Sequence, residues 1–288
     1  MTSPEPGAWA PDGLPFDHVR LLTKVARMYH ERHMRQPQIA DRLHMSQPRV
    51  SRLLKEAAEV GIVRTTVVAP RGTYDELEEQ IEQRYGLAEV VVADTEGSTD
   101  EAEVLPAIAS AAAAYLETTL TGGDRIGISS WSSTLLAAVD NMRPRPTQVA
   151  TKVVQILGGV GSTSAQTHAT RLTGRLAQVT RGEAVYLLAP GLLGSRAMRR
   201  AFLGEPNVAA VLREYADLTL ALVGVGSLEP STLLRQSGNA IAPEDQDALR
   251  NVDAVGDICL RFFDSNGRHV RSELDKRVLG IEADAFRA

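Results

Sequence analysis

The apolar positions near the start of the chain repeat at helical spacing in three short groups. The first group predicts a helix over residues 17–33, and the second predicts a helix over residues 36–43. The third predicts a helix that is capped by Ser46 and stopped by Gly61. The positions that carry the spacing are Leu22, Val25, Ala26, Tyr29, Ile39, Ala40, Leu43, Val50, Leu53, Leu54 and Ala57.

Three flanking segments follow different patterns. Residues 1–16 hold four prolines and no apolar period, which predicts a flexible arm. Residues 62–68 are β-branched and end before a proline, which predicts a strand packed on the helices as a wing, so that residues 17–70 form a winged helix-turn-helix. Residues 71–87 combine spaced apolar side chains with many glutamates, which favours a linker or oligomerisation helix.

From residue 88 to residue 288, apolar β-rich runs alternate with helical stretches. The predicted strands cover 90–93, 125–129, 153–157, 184–188, 218–223 and 257–263. Alternation of this kind is typical of a largely parallel sheet covered by helices on both faces. The expected fold class is therefore α/β, with a larger doubly wound domain after the winged helix-turn-helix of residues 17–70, which is called the head below.

Charge separates the two parts of the chain. The net charge is −5, but residues 17–70 hold ten Lys or Arg against five acids, so this segment is +5 and the remainder is −10. A basic module attached to an acidic one favours a nucleic-acid partner for the head alone. The single cysteine, Cys259, excludes an internal disulfide or a zinc cluster, and the absence of a membrane-length apolar run or signal pattern predicts a cytoplasmic protein.

The exposed face of the third helix has the chemistry of a DNA-reading surface. If its apolar stripe faces the core, 100° per residue places Pro48, Arg52 and Lys55 outward, with Arg49 and Ser51 beside them. Arginine and glutamine side chains can each form two hydrogen bonds with one base edge in the major groove, whereas lysine is better suited to ionic contacts with phosphates. The expected DNA-binding residues are Gln38, Arg42, Ser46, Gln47, Pro48, Arg49, Ser51, Arg52 and Lys55, with Arg42, Lys55 and the start of the second helix assigned to phosphates.

Three predicted strands end in small or hydroxyl residues just before a helix. These ends are residues 128–135, 158–163 and 224–227. Open α/β sheets hold ligands at the carboxyl edge of their strands, so three such ends together favour a cradle for a phosphate or a polyol. None of them is a Walker loop or a full dinucleotide fingerprint, and no cofactor or metal is expected. The indole of Trp131 fits either a sugar-stacking platform or a hydrophobic plug.

Two sets of motifs resemble the SorC-type (SorC/DeoR-like) sugar-sensing regulators of bacteria. The head set is residues 38–43 and 46–54, and the tail set is residues 222–227, 255–264 and 277–281, in the order of that family. The resemblance spans about residues 17–285. It implies a sequence-specific DNA-binding regulator whose effector domain resembles sugar-phosphate isomerases and binds a small sugar, sugar phosphate or polyol without turning it over.

The resemblance also implies roles for individual residues. Ser130 to Thr134 and Gly158 to Gly161 would meet a phosphate, Asp257 would accept hydrogen bonds from sugar hydroxyls, and Arg277 would supply positive charge. At the first loop this chain has Ser-Ser-Thr-Leu where the family more often has Gly-Arg-Thr-Leu, so one cation is missing. The full expected effector set is Ser130, Trp131, Ser132, Ser133, Thr134, Gly158, Gly159, Gly161, Gly224, Gly226, Asp257 and Arg277.

The sequence also allows two other classes of function. A sugar-phosphate isomerase-like enzyme with an attached DNA-binding head would need a general base, yet only His168, His269 and the carboxylate of Asp257 are at hand, so no catalytic residue is predicted. An architectural DNA-binding protein with a purely structural second domain would have no use for three hydroxyl-rich strand ends.

One recognition helix reads few base pairs, which predicts a homodimer or homotetramer on operator DNA.

Overall fold

The computed structural model describes residues 14–63, 73–229, 234–235, 237 and 241–287. The chain divides into two compact units, residues 1–71 and 72–288. Most of the expected flexible arm and the predicted wing strand from residue 64 onward lie outside the described residues.

The first unit contains three helices packed around one apolar cluster. They are α1 (Phe16–His30), α2 (Gln36–Leu43) and α3 (Gln47–Glu59). The second helix has the predicted bounds, and the first ends three residues before the predicted end. The fully buried side chains of the cluster are Leu22, Val25, Ile39, Val50 and Ala57, whereas Tyr29 is exposed and Met28 packs inward.

The connections between these helices are short and use left-handed backbone. His44 adopts φ 51° in the three-residue turn between α2 and α3. Ser46 occupies the N-cap position of α3, although its hydroxyl makes no capping hydrogen bond. After α3, Gly61 adopts φ 76°, and the N–H of Val63 donates to the carbonyl of Ala57 at 2.9 Å. The predicted glycine stop is thus confirmed, because glycine adopts the left-handed conformation that ends a helix without the steric cost that other residues pay.

The second unit begins with α4 (Asp75–Tyr85), an extended segment and α5 (Glu101–Thr119). The extended segment includes residues 90–93, which the sequence predicted as a strand, but it pairs with no strand among the described residues. Its backbone N–H groups at Val90 and Val92 instead donate to the carboxylates of Glu82 and Glu78 on α4, at 2.8 and 2.7 Å. Side chains of α4 therefore take the place of a partner strand.

Four strands form a parallel sheet at the centre of this unit. They are β1 (Asp124–Ile128), β2 (Ala150–Gln155), β3 (Glu183–Val185) and β4 (Leu220–Leu222), in the order β3-β2-β1-β4. Side chains of α5, α6 (Ser133–Asn141) and α7 (Thr163–Thr180) pack with this sheet in one apolar cluster. The remaining helices between β3 and β4 are α8 (Arg196–Gly204) and α9 (Pro206–Glu214). The predicted parallel α/β architecture is confirmed.

A small antiparallel sheet follows. Its strands are β5 (Gly226–Ser227), β6 (Ala254–Ile258) and β7 (Arg261–Asp264), and α10 (Pro243–Arg250) lies between β5 and β6 in the chain. The run predicted as one strand over 257–263 is in fact a tight hairpin. Cys259 and Leu260 form its two-residue turn with φ 53° and 60°, a conformation usually reserved for Asn and Gly, so no turn signal was visible in the sequence.

A second apolar cluster joins the end of β2 to the small sheet and the C-terminal segment. Its fully buried members include Ile156, Phe262 and Val278. Gly127 of β1 leaves space for this packing, because a Cβ atom there would lie 2.7 Å from the side chain of Ile156. Among the described residues no helix is long and apolar enough to cross a membrane.

Candidate functional site

A cleft of about 520 Å³ opens at the carboxyl ends of β1 and β4. The chain leaves β1 toward β2 on one side, and β4 lies on the other, so the connections diverge between these two strands. Divergence of this kind leaves a crevice where open α/β sheets hold their ligands. The described lining residues are Ser129, Trp131, Ser132, Ser133, Thr134, Leu135, Leu157, Val223, Gly224, Val225, Gly226, Ser227, Glu229, Leu234, Ile241, Asp257, Cys259 and Leu260.

The start of α6 forms one side of the cleft. Ser132 is the N-cap residue of α6, and its hydroxyl oxygen accepts a hydrogen bond from the N–H of Leu135 at 3.1 Å. Ser133 and Thr134 occupy the first turn beside it and also line the cleft. The backbone N–H groups of a first helical turn have no acceptor within the helix, so this side is rich in hydrogen-bond donors.

The segment after β4 forms the opposite side. A Cβ atom on Gly224 would lie 3.3 Å from the hydroxyl oxygen of Ser132, and a Cβ atom on Gly226 would clash with Oδ1 of Asp257. Glycine at these two positions lets the backbone pass close to both polar side chains. The structure therefore brings together the first and third predicted strand ends, together with Asp257 from β6.

Asp257 is the most deeply placed carboxylate of the cleft. Its Oδ2 accepts a hydrogen bond from the N–H of Leu260 at 2.9 Å. Burial raises the pKa of Asp257 to about 6, and the hydrogen bond from Leu260 offsets only part of that effect. Burial also raises the pKa of the neighbouring Cys259 thiol to about 12. The thiol is therefore protonated and unreactive.

The structure places the second predicted strand end away from the cleft. The N–H of Gly158 donates to the carbonyl of Leu279 at 3.0 Å, and a Cβ atom at Gly158 would run into the backbone of Pro190. A Cβ atom at Gly159 would lie 2.9 Å from the side-chain amide of Gln155, and one at Gly161 would collide with the carbonyl of Ser237. These glycines permit close packing of the interior, and their backbone does not line the cleft.

Three further predicted residues also have structural partners. The hydroxyl of Ser130 is buried and donates to the carbonyl of Leu157 at 2.5 Å. The indole N–H of Trp131 donates to the carbonyl of Gly158 at 3.0 Å, and its ring is 8% exposed, so it closes the cleft as an apolar wall. Arg277 forms an ion pair with Asp245 of α10 and does not line the cleft.

Sequence reasoning missed several cleft residues. Ser129 lies at the end of β1, and Glu229 follows β5 by two residues. Ser129 was visible within the first hydroxyl-rich strand end, but nothing in the sequence distinguished Glu229 from other surface acids. Its position depends on the short antiparallel strand β5, which has no helical or strand pattern of its own.

A second candidate functional surface lies on the first unit. All nine residues predicted to contact DNA are exposed, from Gln38 and Arg42 on α2 to Lys55 near the end of α3. Among the described residues, no carboxylate lies within 4 Å of the guanidinium groups of Arg42, Arg49 or Arg52. Arg52 makes one long hydrogen bond, from Nε to the carbonyl of Pro48 at 3.4 Å, and Lys55 lies 3.7 Å from Glu59. This surface is cationic and available to a partner.

Comparison with known proteins agrees with the resemblance read from the motifs. A family model described as "Putative sugar-binding domain" matches residues 71–288. The sorbitol operon regulator of Klebsiella pneumoniae is 33% identical over 94% of this chain and 85% of its own length. The deoxyribonucleoside regulator of Bacillus subtilis strain 168 is 30% identical over 93% of this chain and 84% of its own length.

Solved structures give the same assignment. The full-length sorbitol operon regulator SorC from Klebsiella pneumoniae matches with a TM-score of 0.66 and 31% identity, covering 93% of this chain and 85% of that chain. A DeoR family transcriptional regulator from Listeria monocytogenes matches with a TM-score of 0.65 and 27% identity, covering 74% of this chain and 82% of that chain. The chain belongs to the SorC family of sugar-binding transcriptional regulators.

Proposed function

We propose that this protein binds operator DNA through its first unit and that a small sugar or polyol in the cleft controls that binding. The observation that carries the proposal is the exposed, cationic face of α3 on a compact three-helix unit. In this proposal α2 and α3 form a helix-turn-helix, α3 enters the major groove, and the segment after Gly61 supplies a wing.

Different side chains on this surface are assigned different contacts. Gln47, Arg49 and Arg52 lie at the start and outer face of α3, where they suit base edges. Lys55 and Arg42 suit phosphates, because a flexible or peripheral cation neutralises charge without reading sequence. Gln38 accepts a hydrogen bond from the N–H of Arg35 at 2.9 Å, which fixes its amide at the start of α2, where a helix N-terminus favours an anion.

Two alanine variants test this assignment by fluorescence anisotropy on operator DNA. We expect Arg52→Ala to weaken operator binding by about 1–3 kcal/mol and to relax base preference at one position. Lys55→Ala should weaken all sequences alike and lower the salt dependence. Lys24→Ala, an exposed cation on α1, is the matched control. Unchanged affinity in both α3 variants would refute the groove assignment.

The cleft is proposed as the effector site. Its hydroxyl groups, helix amides and buried carboxylate match the functional groups of a sugar or polyol. Effector binding need favour one subunit arrangement by only about 1–3 kcal/mol to change operator affinity severalfold to a hundredfold. A thermal-shift screen of sugars, sugar phosphates and polyols tests this role, because a ligand that binds only the folded state raises the unfolding temperature.

We also propose that a second copy of this chain covers α4. No residue of α4 is buried, and Leu77 and Tyr85 are 43% and 65% exposed. The helix begins four residues after the end of the first unit, so pairing it with its own copy would join the connectors of two DNA-binding heads. Leu77→Glu should shift the protein toward the monomer in analytical ultracentrifugation, whereas the surface control Glu79→Gln should not. A monomeric wild type would overturn this proposal.

One observation favours a second candidate function. Asp257 combines a pKa of about 6 with a place in the cleft, which are the properties of a general acid or base. The alternative is an isomerase-like enzyme that carries the DNA-binding head. Incubation with sugar phosphates, followed by NMR in deuterated water, decides between them, since an isomerase would exchange a carbon-bound proton. We expect no exchange, because the similar proteins whose roles are named are transcriptional regulators.

A further inference from the structure

The polar lining of the cleft has two sides of opposite hydrogen-bonding character. On one side, the first turn of α6 presents N–H groups and the hydroxyls of Ser133 and Thr134. On the other side stand two carboxylates, Asp257 on β6 and Glu229 after β5. The first side donates hydrogen bonds, whereas the second accepts them while ionised.

Charge in the cleft is negative. Among the described residues that line it there are two acids and no lysine, arginine or histidine. The cation that the family resemblance assigned to this site, Arg277, is ion-paired with Asp245 outside the lining. A phosphate ester would therefore face helix N–H groups on one side and, on the other, two carboxylates whose negative charge repels its own.

On this basis we propose that the effector is an uncharged polyol or sugar and that phosphate esters are rejected. The inference rests on the proposed effector function of the cleft. Each hydroxyl group of a polyol donates one hydrogen bond and accepts others, so one ligand can satisfy both sides. A phosphate group only accepts, and the desolvated carboxylate of Asp257 repels it.

The spacing of the two sides suits a short polyol. Gly224 lies against the hydroxyl of Ser132, and Gly226 lies against the carboxylate of Asp257. Residues two apart in extended chain are separated by about 7 Å. A ligand that extends along residues 224–226 can thus reach both polar groups with hydroxyls that are several carbons apart. Trp131 closes the cleft and contributes apolar surface for the carbon chain.

Matched ligand pairs test the proposal by isothermal titration on the full chain. The probes are erythritol, xylitol and sorbitol, the terminal phosphate monoester of each, and inorganic phosphate. We expect at least one neutral polyol to bind at least ten-fold more tightly than its own phosphate ester. An ester that binds as tightly or more tightly overturns this inference and leaves sugar sensing in place. Binding by no member of either series overturns both the inference and the effector function.

Two variants separate recognition from folding. In Asp257→Asn the side-chain oxygen can still accept from the N–H of Leu260, so the hairpin is preserved. This variant should lose at least ten-fold in affinity for the neutral polyol and should lose no affinity for the phosphate ester. Asp140→Asn, which removes an ion pair with Arg171 outside the cleft, is the control. Should Asp257→Asn fail to fold, the exposed Glu229→Gln gives the same comparison, and an unchanged ligand preference in the folded variant overturns the proposal.

Discussion

Replacing Asp257 by asparagine should stabilise the protein in the absence of ligand, by an amount that depends on pH. Burial raises the pKa of Asp257 from 3.8 to about 6 in the folded state. Each unit of pKa shift corresponds to 1.36 kcal/mol, so keeping this group ionised costs the folded protein about 3 kcal/mol. The asparagine variant lacks that cost and retains the acceptor for the N–H of Leu260.

The direction of the pH dependence follows from proton binding. Between pH 4 and pH 6 the unfolded chain has lost the proton of Asp257 while the folded chain still holds it, so the stability of the wild type falls as pH rises through this window. The difference between Asp257→Asn and wild type should therefore grow by about 2.4 kcal/mol from pH 4 to pH 7 and then stay constant.

Urea unfolding at a series of pH values, followed by circular dichroism, measures this difference. Asp140→Asn is the control, since its carboxylate is in a partly exposed ion pair with Arg171. A pH-independent difference between Asp257→Asn and wild type would show that the carboxylate is not desolvated in the folded protein. A wild type that gains stability relative to the variant between pH 4 and pH 7 would refute the reasoning directly.

Three further predictions follow from the cleft and the helix caps. Gly226→Ala should abolish polyol binding in a thermal-shift assay, because its Cβ atom would displace the carboxylate of Asp257, whereas Gly204→Ala, which has open space around it, should not. Polyol affinity measured by titration should fall as the pH drops below about 6, by at most ten-fold per unit, because protonation removes the charge of Asp257 and weakens it as a hydrogen-bond acceptor for ligand hydroxyls. Ser195→Ala should cost about 1 kcal/mol in urea unfolding, since this hydroxyl accepts from the N–H of Met198 at 3.1 Å, while Ser46→Ala should cost only a few tenths, since its hydroxyl makes no capping hydrogen bond.

Local signals predicted the first unit well. The spacing of Ile39, Val50 and Ala57 gave the buried faces of two helices, and the short turn and Gly61 gave their ends. Each of these signals depends on residues within one or two helical turns. The outward position of Arg52 then followed from helix geometry alone.

The cleft was predicted less completely because its parts are distant in the chain. Residues 158–161 and residues 224–227 carry the same glycine signal, yet the first group packs against Pro190 and Leu279 and the second borders the cleft. Sequence cannot separate a glycine required by neighbouring backbone from one required by a ligand, since both need the same missing side chain. The ion pair that occupies Arg277 is likewise set by a partner 32 positions away.

The hairpin turn of Cys259 and Leu260 provides a natural thiol probe for local opening of the small sheet. Cys259 is the single cysteine of the chain and is buried beside the cleft, with a thiol that stays protonated at neutral pH. Because Cys259 is 4% exposed, a thiol-specific dye labels it mainly in molecules whose small sheet has opened, so labelling rates report local opening without any introduced cysteine. Added effector that holds the sheet closed would slow the labelling. The ratio of labelling rates without and with effector would measure how much more often the sheet opens when the site is empty.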